Sequence, residues 1–406
     1  MDAVLSTGMN RLSVKTIRDF ELAGKRVLIR VDFNVPLDKE LRVTDDNRIR
    51  ASLPTIQYVL DHGAKAVLMS HLGRPDGKPV SSMSLSPASR RLSELLGRDV
   101  IQCSDCVGPR VKEELRALDG ASSIAVLENL RFHPEEEKND PVFAKQLAEC
   151  GDLYINDAFG SSHRAHASID EVTRHLPSGA GFLLEKEIRY LGEAMRDPAK
   201  PFVAILGGSK VSDKIGIVQN LISKVDKILV GGAMAYTFLK VQGVDIGDSK
   251  YEKDKTDLAR AILENAKKSG VEILLPVDHV TVQKVDENAP TRIEAPAISA
   301  GRLGVDIGPK TIELFSRALD GAKTVVWNGP MGIFEMKHFA NGSKQTALKL
   351  SQLVNAVTVI GGGDTAACVI GLGLEQKMTH ISTGGGASLE YLEGKSLPGI
   401  AALSKN

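Results

Sequence analysis

FVAILGGSKVSDK, residues 202–214, decides the fold. Five apolar residues, a glycine pair, and two lysines one helical turn apart read as a strand, a tight turn and a helix start. The same unit recurs on both sides. In the second half strands are predicted at 202–206, 227–230, 273–275, 324–327, 357–360 and 380–382. In the first half they are predicted at 26–31, 66–69, 124–127 and 153–155. Apolar runs alternating with helical patterns signal βα units on parallel sheets. One helix is expected to begin near Ser52, with Pro54 in its first turn, and to carry Ile56, Val59 and Leu60 up to Gly63. Another carries Leu258, Ile262 and Ala266, with Gly270 as its stop. Residues 280–300 lack helical period and hold two prolines, so turns and short strands are expected there.

Between the halves, Leu184, Ile188, Leu191 and Met195 fall at amphipathic helical spacing, and Pro198 and Pro201 end the pattern. The fold class is therefore α/β. Two doubly wound domains with mainly parallel sheets are expected at 1–182 and 198–390, joined by a bridging helix at 183–197.

The chain has 51 basic and 51 acidic side chains, a formal charge of zero. That gives no general pull toward nucleic acid or membrane, so any basic cluster is local and suits a small anion. No apolar run spans a bilayer, and residues 1–15 read as a short leader without a signal-peptide core. The four cysteines, at 103, 106, 150 and 368, are too few for a disulfide scaffold, and a reducing cytoplasm is expected. Cys103 and Cys106 form C-x-x-C. A zinc site needs two further ligands and no second pair follows, so no special role is expected.

Ligands of open parallel sheets bind beyond the carboxyl ends of the strands. In the first half those ends carry Asp32 and Asn34, then His71 and Arg74, then Arg131, then His163, Arg164 and His166. Arg48 stands in a polar loop before a helix. Guanidinium forks match carboxylate and phosphate oxygens, so a small polyanion such as a phosphorylated acid is implied. In the second half the ends read LGGSKVSDK, VGGAMAYTF, WNGPMGIFE, IGGGDTAA and STGGGASLE. Glycine turns let a backbone approach phosphates, which suggests a nucleotide site. Lys210 can reach a phosphoryl group, with Lys214 one turn on. Asp364 sits where a helix starts, as a helix cap or as the carboxylate near a nucleotide-bound magnesium, with Thr365 beside it. Glu335 can accept from ribose hydroxyls. No P-loop or protein-kinase signature occurs, and the first βα turn lacks the dinucleotide G-x-G-x-x-G.

Together RVDFNVP (30–36), SHLGRP (70–75), LENLRF (127–132), AFGSSHRAHAS (158–168), GGSKVSDK (207–214), VGGAMAYTF (230–238), WNGPMGIFE (327–335) and GGGDTA (361–366) resemble the phosphoglycerate kinases. The resemblance runs over nearly the whole chain and implies two Rossmann-like domains, with the C-terminal segment 391–406 returning to the first. It implies that Asp32, Phe33, Asn34, Arg48, His71, Leu72, Gly73, Arg74, Arg131 and Arg164 bind phosphoglycerate. It implies that Lys210, Lys214, Gly304, Glu335, Gly362, Gly363, Asp364 and Thr365 bind ATP or ADP with Mg²⁺, which Asp364 approaches through the nucleotide. Arg48 and Lys210 would be the catalytic pair. The substrate carboxylate is already ionised, so no general base is required. Domain closure would join the two ligands, in a monomer with no nucleic-acid or membrane partner. A dehydrogenase and a catalytically silent nucleotide-binding scaffold are the competing readings. The missing fingerprint counts against the first, and intact Arg48, Lys210 and Asp364 count against the second.

Overall fold

The computed structural model describes residues 14–119 and 123–404. Most of the leader expected at 1–15 lies outside them. The chain divides into two compact units, residues 1–189 with 396–406 and residues 190–395. The helix Phe182–Arg196 carries the chain from the first to the second. Its residues Leu184, Ile188, Leu191 and Met195 are buried.

Unit 1 is built on strands β1 (Arg26–Arg30), β2 (Lys65–Met69), β3 (Ile101–Gln102), β4 (Ile124–Val126), β5 (Leu153–Asn156) and β6 (Ser178–Ala180). They form one parallel sheet in the order β3-β4-β2-β1-β5-β6. The apolar strands are buried along nearly their whole length, as in a sheet covered on both faces. Strand order reverses between β1 and β5, which opens a crevice at their carboxyl ends. β3 and β6 escaped the sequence reading because two or three residues, one of the latter a glycine, carry no periodic signal.

The helix expected from Ser52 instead spans Asn47–Asp61. Pro54 therefore lies inside it rather than in its first turn, and Arg48 belongs to the helix, not to a preceding loop. Ile49, fully buried, extends the apolar face one turn toward the N-terminus and outweighs the proline's missing N–H. The second helix spans Thr256–Lys268, burying Ile262 and Ala266, with Gly270 at φ +71° beyond it.

Unit 2 contains β7 (Phe202–Leu206), β8 (Lys227–Val230), β9 (Glu272–Leu274), β10 (His279–Val282), β11 (Arg292–Glu294), β12 (Leu303–Ile307), β13 (Thr324–Asn328), β14 (Val357–Gly361) and β15 (His380–Ile381). Six form a parallel sheet, β15-β14-β13-β7-β8-β9, reversing direction between β7 and β13. The excursion after β9 is a small antiparallel sheet, β11-β10-β12. Among the described residues no helix is long and apolar enough to cross a membrane.

The C-terminal helix Pro398–Leu403 packs into unit 1. Gly399 N–H donates to the Ser162 carbonyl at 2.9 Å, beside the loop that carries Arg164. A Cβ on Gly399 would lie 2.8 Å from Ile169 and 2.9 Å from Ser162, so only glycine permits this approach.

Candidate active site

Unit 1 gathers cations at the carboxyl ends of β1, β2, β4 and β5. Arg30, the last residue of β1, is only 1% exposed. Its Nε donates to Ser168 Oγ at 2.9 Å, and that hydroxyl donates to Glu136 Oε1 at 2.6 Å. Its Nη2 lies 3.2 Å from His71 Nδ1. A buried guanidinium needs a compensating charge, and Glu136, also fully buried, supplies it through Ser168. His166 Nδ1 is 3.7 Å from the same carboxylate. Burial, reinforced by Arg30, Arg131 and Arg164, pushes His166 down to about 3. Burial and the charges of Arg30, Arg131 and Arg48 also hold His71 well below its ordinary value. Both imidazoles are therefore neutral at pH 7 and keep one donor and one acceptor nitrogen.

The residues expected from the sequence surround this buried layer. Arg48 Nη1 pairs with Asp32 Oδ1 at 2.9 Å. Asn34 Oδ1 accepts from Gly73 N–H at 2.9 Å. The N–H of Phe33, whose side chain is fully buried, donates to Ser70 Oγ at 2.8 Å. Asn129 clamps Leu72, accepting its N–H at 3.2 Å and donating to its carbonyl at 2.7 Å. Arg131 Nη1 donates to the Gly73 carbonyl at 2.8 Å, and its Nε lies 3.2 Å from Glu137. Arg164 Nε donates to His163 Nε2 at 3.2 Å. Among the described residues no carboxylate pairs with Arg74 or Arg164. Arg74 and Arg131 line a small cavity of about 50 Å³.

Unit 2 is organised by backbone. At the β7/β13 switch Gly207 packs on the turn that follows β13. A Cβ on Gly207 would lie 2.1 Å from the Pro330 carbonyl oxygen. A Cβ on Gly232, at φ +65°, would lie 2.5 Å from the Gly208 nitrogen and carbonyl oxygen. Their N–H groups are already used: Gly207 donates to Asn328 O at 2.9 Å, Gly208 to Pro330 O at 3.0 Å, and Gly232 to Met331 O at 2.9 Å. These turns interlock backbones rather than offer donors to a ligand.

The donors lie elsewhere. The helix Gly363–Gly371 begins at the expected glycine turn, with Gly362 as its N-cap at φ +88°. Asp364 is the second helical residue, so the capping role considered from sequence does not apply. The N–H groups of Gly363, Asp364 and Thr365 are the first of the helix and find no backbone acceptor among the described residues. The Thr365 hydroxyl is committed, accepting from Gly329 N–H at 2.7 Å. Lys214 Nζ donates to Asn328 Oδ1, and burial lowers the Lys214 pKa against the pull of Asp213 and Asp364. Asn328 Nδ2 is buried without an acceptor among the described residues, in the space against Gly361 and Gly362. A cavity of about 390 Å³ is lined by Gly208, Tyr236, Gly304, Asp306, Glu335 and Asp364, among others. A Cβ on Gly304 would overlap the Tyr236 hydroxyl, so glycine keeps this wall flat. Lys210 is exposed beside the turn. Lys214, Gly362, Gly363 and Thr365 surround the helix start rather than line the cavity.

Sequence reasoning missed Arg30, Glu136, Ser168 and Asn328 as contributors. Arg30 had a signal, a charge closing an otherwise apolar strand inside RVDFNVP. Glu136 had none, because it lies in an acidic run, PEEEK, that reads as a solvated surface.

Two doubly wound units, one edged with guanidinium groups and the other with a glycine-walled cavity, define an α/β phosphotransferase. A model of the family described as phosphoglycerate kinase matches residues 17–395. The chain is 55% identical over 405 residues to a phosphoglycerate kinase of Koribacter versatilis, covering 98% of this chain and all of that one. It is 57% identical over 394 residues to one from Chloroherpeton thalassium, covering 96% and 99%. The solved phosphoglycerate kinase of Coxiella burnetii superposes with a TM-score of 0.87 at 38% identity, covering 97% of this chain and 99% of that one. That of Pyrococcus horikoshii gives 0.82 at 32%, covering 96% and 98%. The chain belongs to the phosphoglycerate kinase family.

Proposed function

We propose that this chain transfers a phosphoryl group reversibly between 1,3-bisphosphoglycerate and ADP, giving 3-phosphoglycerate and ATP. The observation that carries the site assignment is the uncompensated charge of unit 1. Arg74 and Arg164 stand at one sheet edge without carboxylate partners among the described residues, and a ligand with a phosphate and a carboxylate would supply the missing anions. Arg30, Glu136 and Ser168 hold the neutral His71 and His166 in place behind that ligand, and Asp32 orients Arg48.

In unit 2 the nucleotide phosphates would meet the helix N–H groups of 363–365, Asn328 Nδ2 and Lys214, while Gly304 and Glu335 line the cavity for the nucleoside. Asp364, exposed on that cavity wall, is an oxygen donor that fits a hard dication whose remaining ligands are phosphate oxygens and water. Bound Mg²⁺ would offset the nucleotide charge. The acceptor carboxylate attacks directly, since it carries its charge at pH 7. Arg48 and Lys210 neutralise the migrating group. Each ligand is held by its own unit, so in-line transfer requires a closed state that brings reacting atoms to about 3–3.5 Å and excludes water.

All four cysteines are free and buried, which supports a reducing compartment such as the cytoplasm. We infer a monomer; light scattering on the eluting protein checks that. The central test is an assay of ATP plus 3-phosphoglycerate with trapping of the acyl phosphate. Turnover supports the assignment, and nucleotide binding without turnover would point to a silent scaffold. Small-angle scattering tests closure: the radius of gyration should fall most with 3-phosphoglycerate and a non-hydrolysable Mg-nucleotide together.

A further inference from the structure

β3 and β4 are parallel neighbours, with Gln102 opposite Val126. Their carboxyl ends therefore run side by side into residues 103–106 and 127–133. Cys103 N–H donates to Val126 O at 2.9 Å and Glu128 N–H to Asp105 O at 3.2 Å, fixing the two segments together. The pairing brings the Asp105 carboxylate, the Cys106 thiol and the His133 imidazole to one point, with their ligand atoms all within 4.8 Å of one another. We propose that Asp105, Cys106 and His133 form a binding site for a divalent transition metal of the zinc type, which takes no part in phosphoryl transfer although His133 also lines the cavity of Arg74 and Arg131.

The donor set selects the metal. A thiolate, an imidazole nitrogen and a carboxylate oxygen suit zinc and its neighbours, whereas magnesium and calcium take oxygen ligands. Zinc bonds of roughly 2.0–2.3 Å put neighbouring ligand atoms roughly 3–4 Å apart. The separations here lie within a side-chain adjustment of that. His133 Nε2 and Asp105 Oδ1, now hydrogen-bonded at 2.7 Å, would part slightly to admit the ion.

The ligands are braced before any metal arrives. The His133 ring stacks on Phe143 with centroids 5.2 Å apart and planes at 29°. Asp105 Oδ1 accepts Cys106 N–H at 2.7 Å. Cys106 is fully buried, while the side chains of Asp105 and His133 are 48% and 27% exposed. The sulfur therefore forms the floor and the outer side stays open for entry and for water as a fourth ligand. A dication, a thiolate, a carboxylate and a neutral imidazole sum to zero charge, which a half-buried site tolerates. Binding replaces the Cys106 S–H bond by a metal–sulfur bond. The thiol proton leaves to solvent, the His133 Nε2 proton that now bonds Asp105 moves to Nδ1 of the neutral ring or leaves from the imidazolium, and no electron moves.

Co²⁺ serves as the spectroscopic probe. Full-length protein, stripped with chelator and free of nucleotide, is titrated with Co²⁺ and then with Zn²⁺. A near-ultraviolet thiolate-to-cobalt band should saturate at one equivalent and bleach on addition of Zn²⁺. Oxygen-only binding at Asp364 would give no such band. Cys106→Ser should abolish the band, and Cys103→Ser and Cys150→Ser should keep it. His133→Gln and Asp105→Asn should each weaken Co²⁺ by roughly tenfold or more. Circular dichroism and the unfolding midpoint of each metal-free variant check its fold. If Cys106→Ser does not fold, the two half-exposed positions carry the test. No band in the unmutated protein, a band that survives Cys106→Ser or is lost with Cys150→Ser, or unchanged affinity in both His133→Gln and Asp105→Asn would overturn the site.

Discussion

In unit 1 the groups proposed to meet a ligand are side chains, held by buried polar contacts such as Arg30–Ser168–Glu136. In unit 2 the corresponding crevice is made of backbone, with Gly207, Gly232 and Gly329 packed too closely for any Cβ. Both crevices open where strand order reverses, so one topological rule serves two kinds of recognition. The difference concerns what a single substitution can remove. An arginine can be lost from unit 1 with the fold intact and the affinity gone. A glycine lost from the core of the unit 2 turns removes the fold first.

The sharpest break of that contrast is Gly207→Ala. Its Cβ would meet a backbone oxygen at 2.1 Å, so the β7 and β13 turns must separate. The cost should be about 4 kcal/mol or more, in the range of the most damaging single changes. Gly363→Ala, with nothing within 4 Å of its Cβ, should leave stability nearly unchanged. Urea unfolding of both variants, followed separately for each unit, measures this. Similar losses in the two would show that the close packing is not what the glycines are for.

Next in size is Lys210→Ala. Losing a donor to the migrating group should lower kcat by about 2.7–4 kcal/mol in activation free energy, with nucleotide KM little changed. A variant with near-normal kcat would remove Lys210 from the chemistry.

Arg74→Ala and Arg164→Ala come third. Each should raise the KM for 3-phosphoglycerate by about 1.5–3 kcal/mol, the strength of a hydrogen bond to a charged group, and spare nucleotide KM. The opposite pattern would mean that the two crevices have been assigned the wrong ligands.

Smallest per unit of the variable changed is a pH slope in unit 1. Asp157, just past β5, accepts the N–H of Leu183 at 2.8 Å and of Leu184 at 3.3 Å, and burial raises its pKa to about 7. A raised carboxyl pKa means the folded state holds its proton more tightly than the unfolded state. Its contribution is therefore fully present below the unfolded value of 3.8 and is lost as pH rises to about 7. The slope is at most about 1.4 kcal/mol per pH unit. Asp157→Asn should flatten it while keeping an acceptor for the helix start. Unit 1 unfolding measured at steps from pH 4 to 7 decides it, and parallel wild-type and variant curves would reject the assignment.

The positions of the groups proposed to face a ligand were legible in the sequence because they follow strands. An apolar run ending in Arg, His or Gly-Gly announces itself, as at 68–74 and 204–210. The supports behind them were not legible. Glu136 is an interior carboxylate drawn from an acidic run, and Pro54 is an interior helix residue that local rules place at a helix start.

Local order thus comes from the sequence alone: alternating strands and helices, a helix between two halves, arginines after one set of strands and glycines after the other. Periodicity and turn chemistry act over a few residues, so a single chain displays them. The tertiary structure decided what depends on contacts far apart in the chain. It committed the N–H groups of Gly207, Gly208 and Gly232 to backbone packing and left those at the start of the helix Gly363–Gly371 without backbone acceptors among the described residues. It also set His133 beside Asp105 and Cys106, turning a cysteine pair without a second pair into three converging ligands. Only the side-by-side course of β3 and β4 brings those atoms together, and strand order across a sheet is fixed by long-range packing that no local stretch encodes.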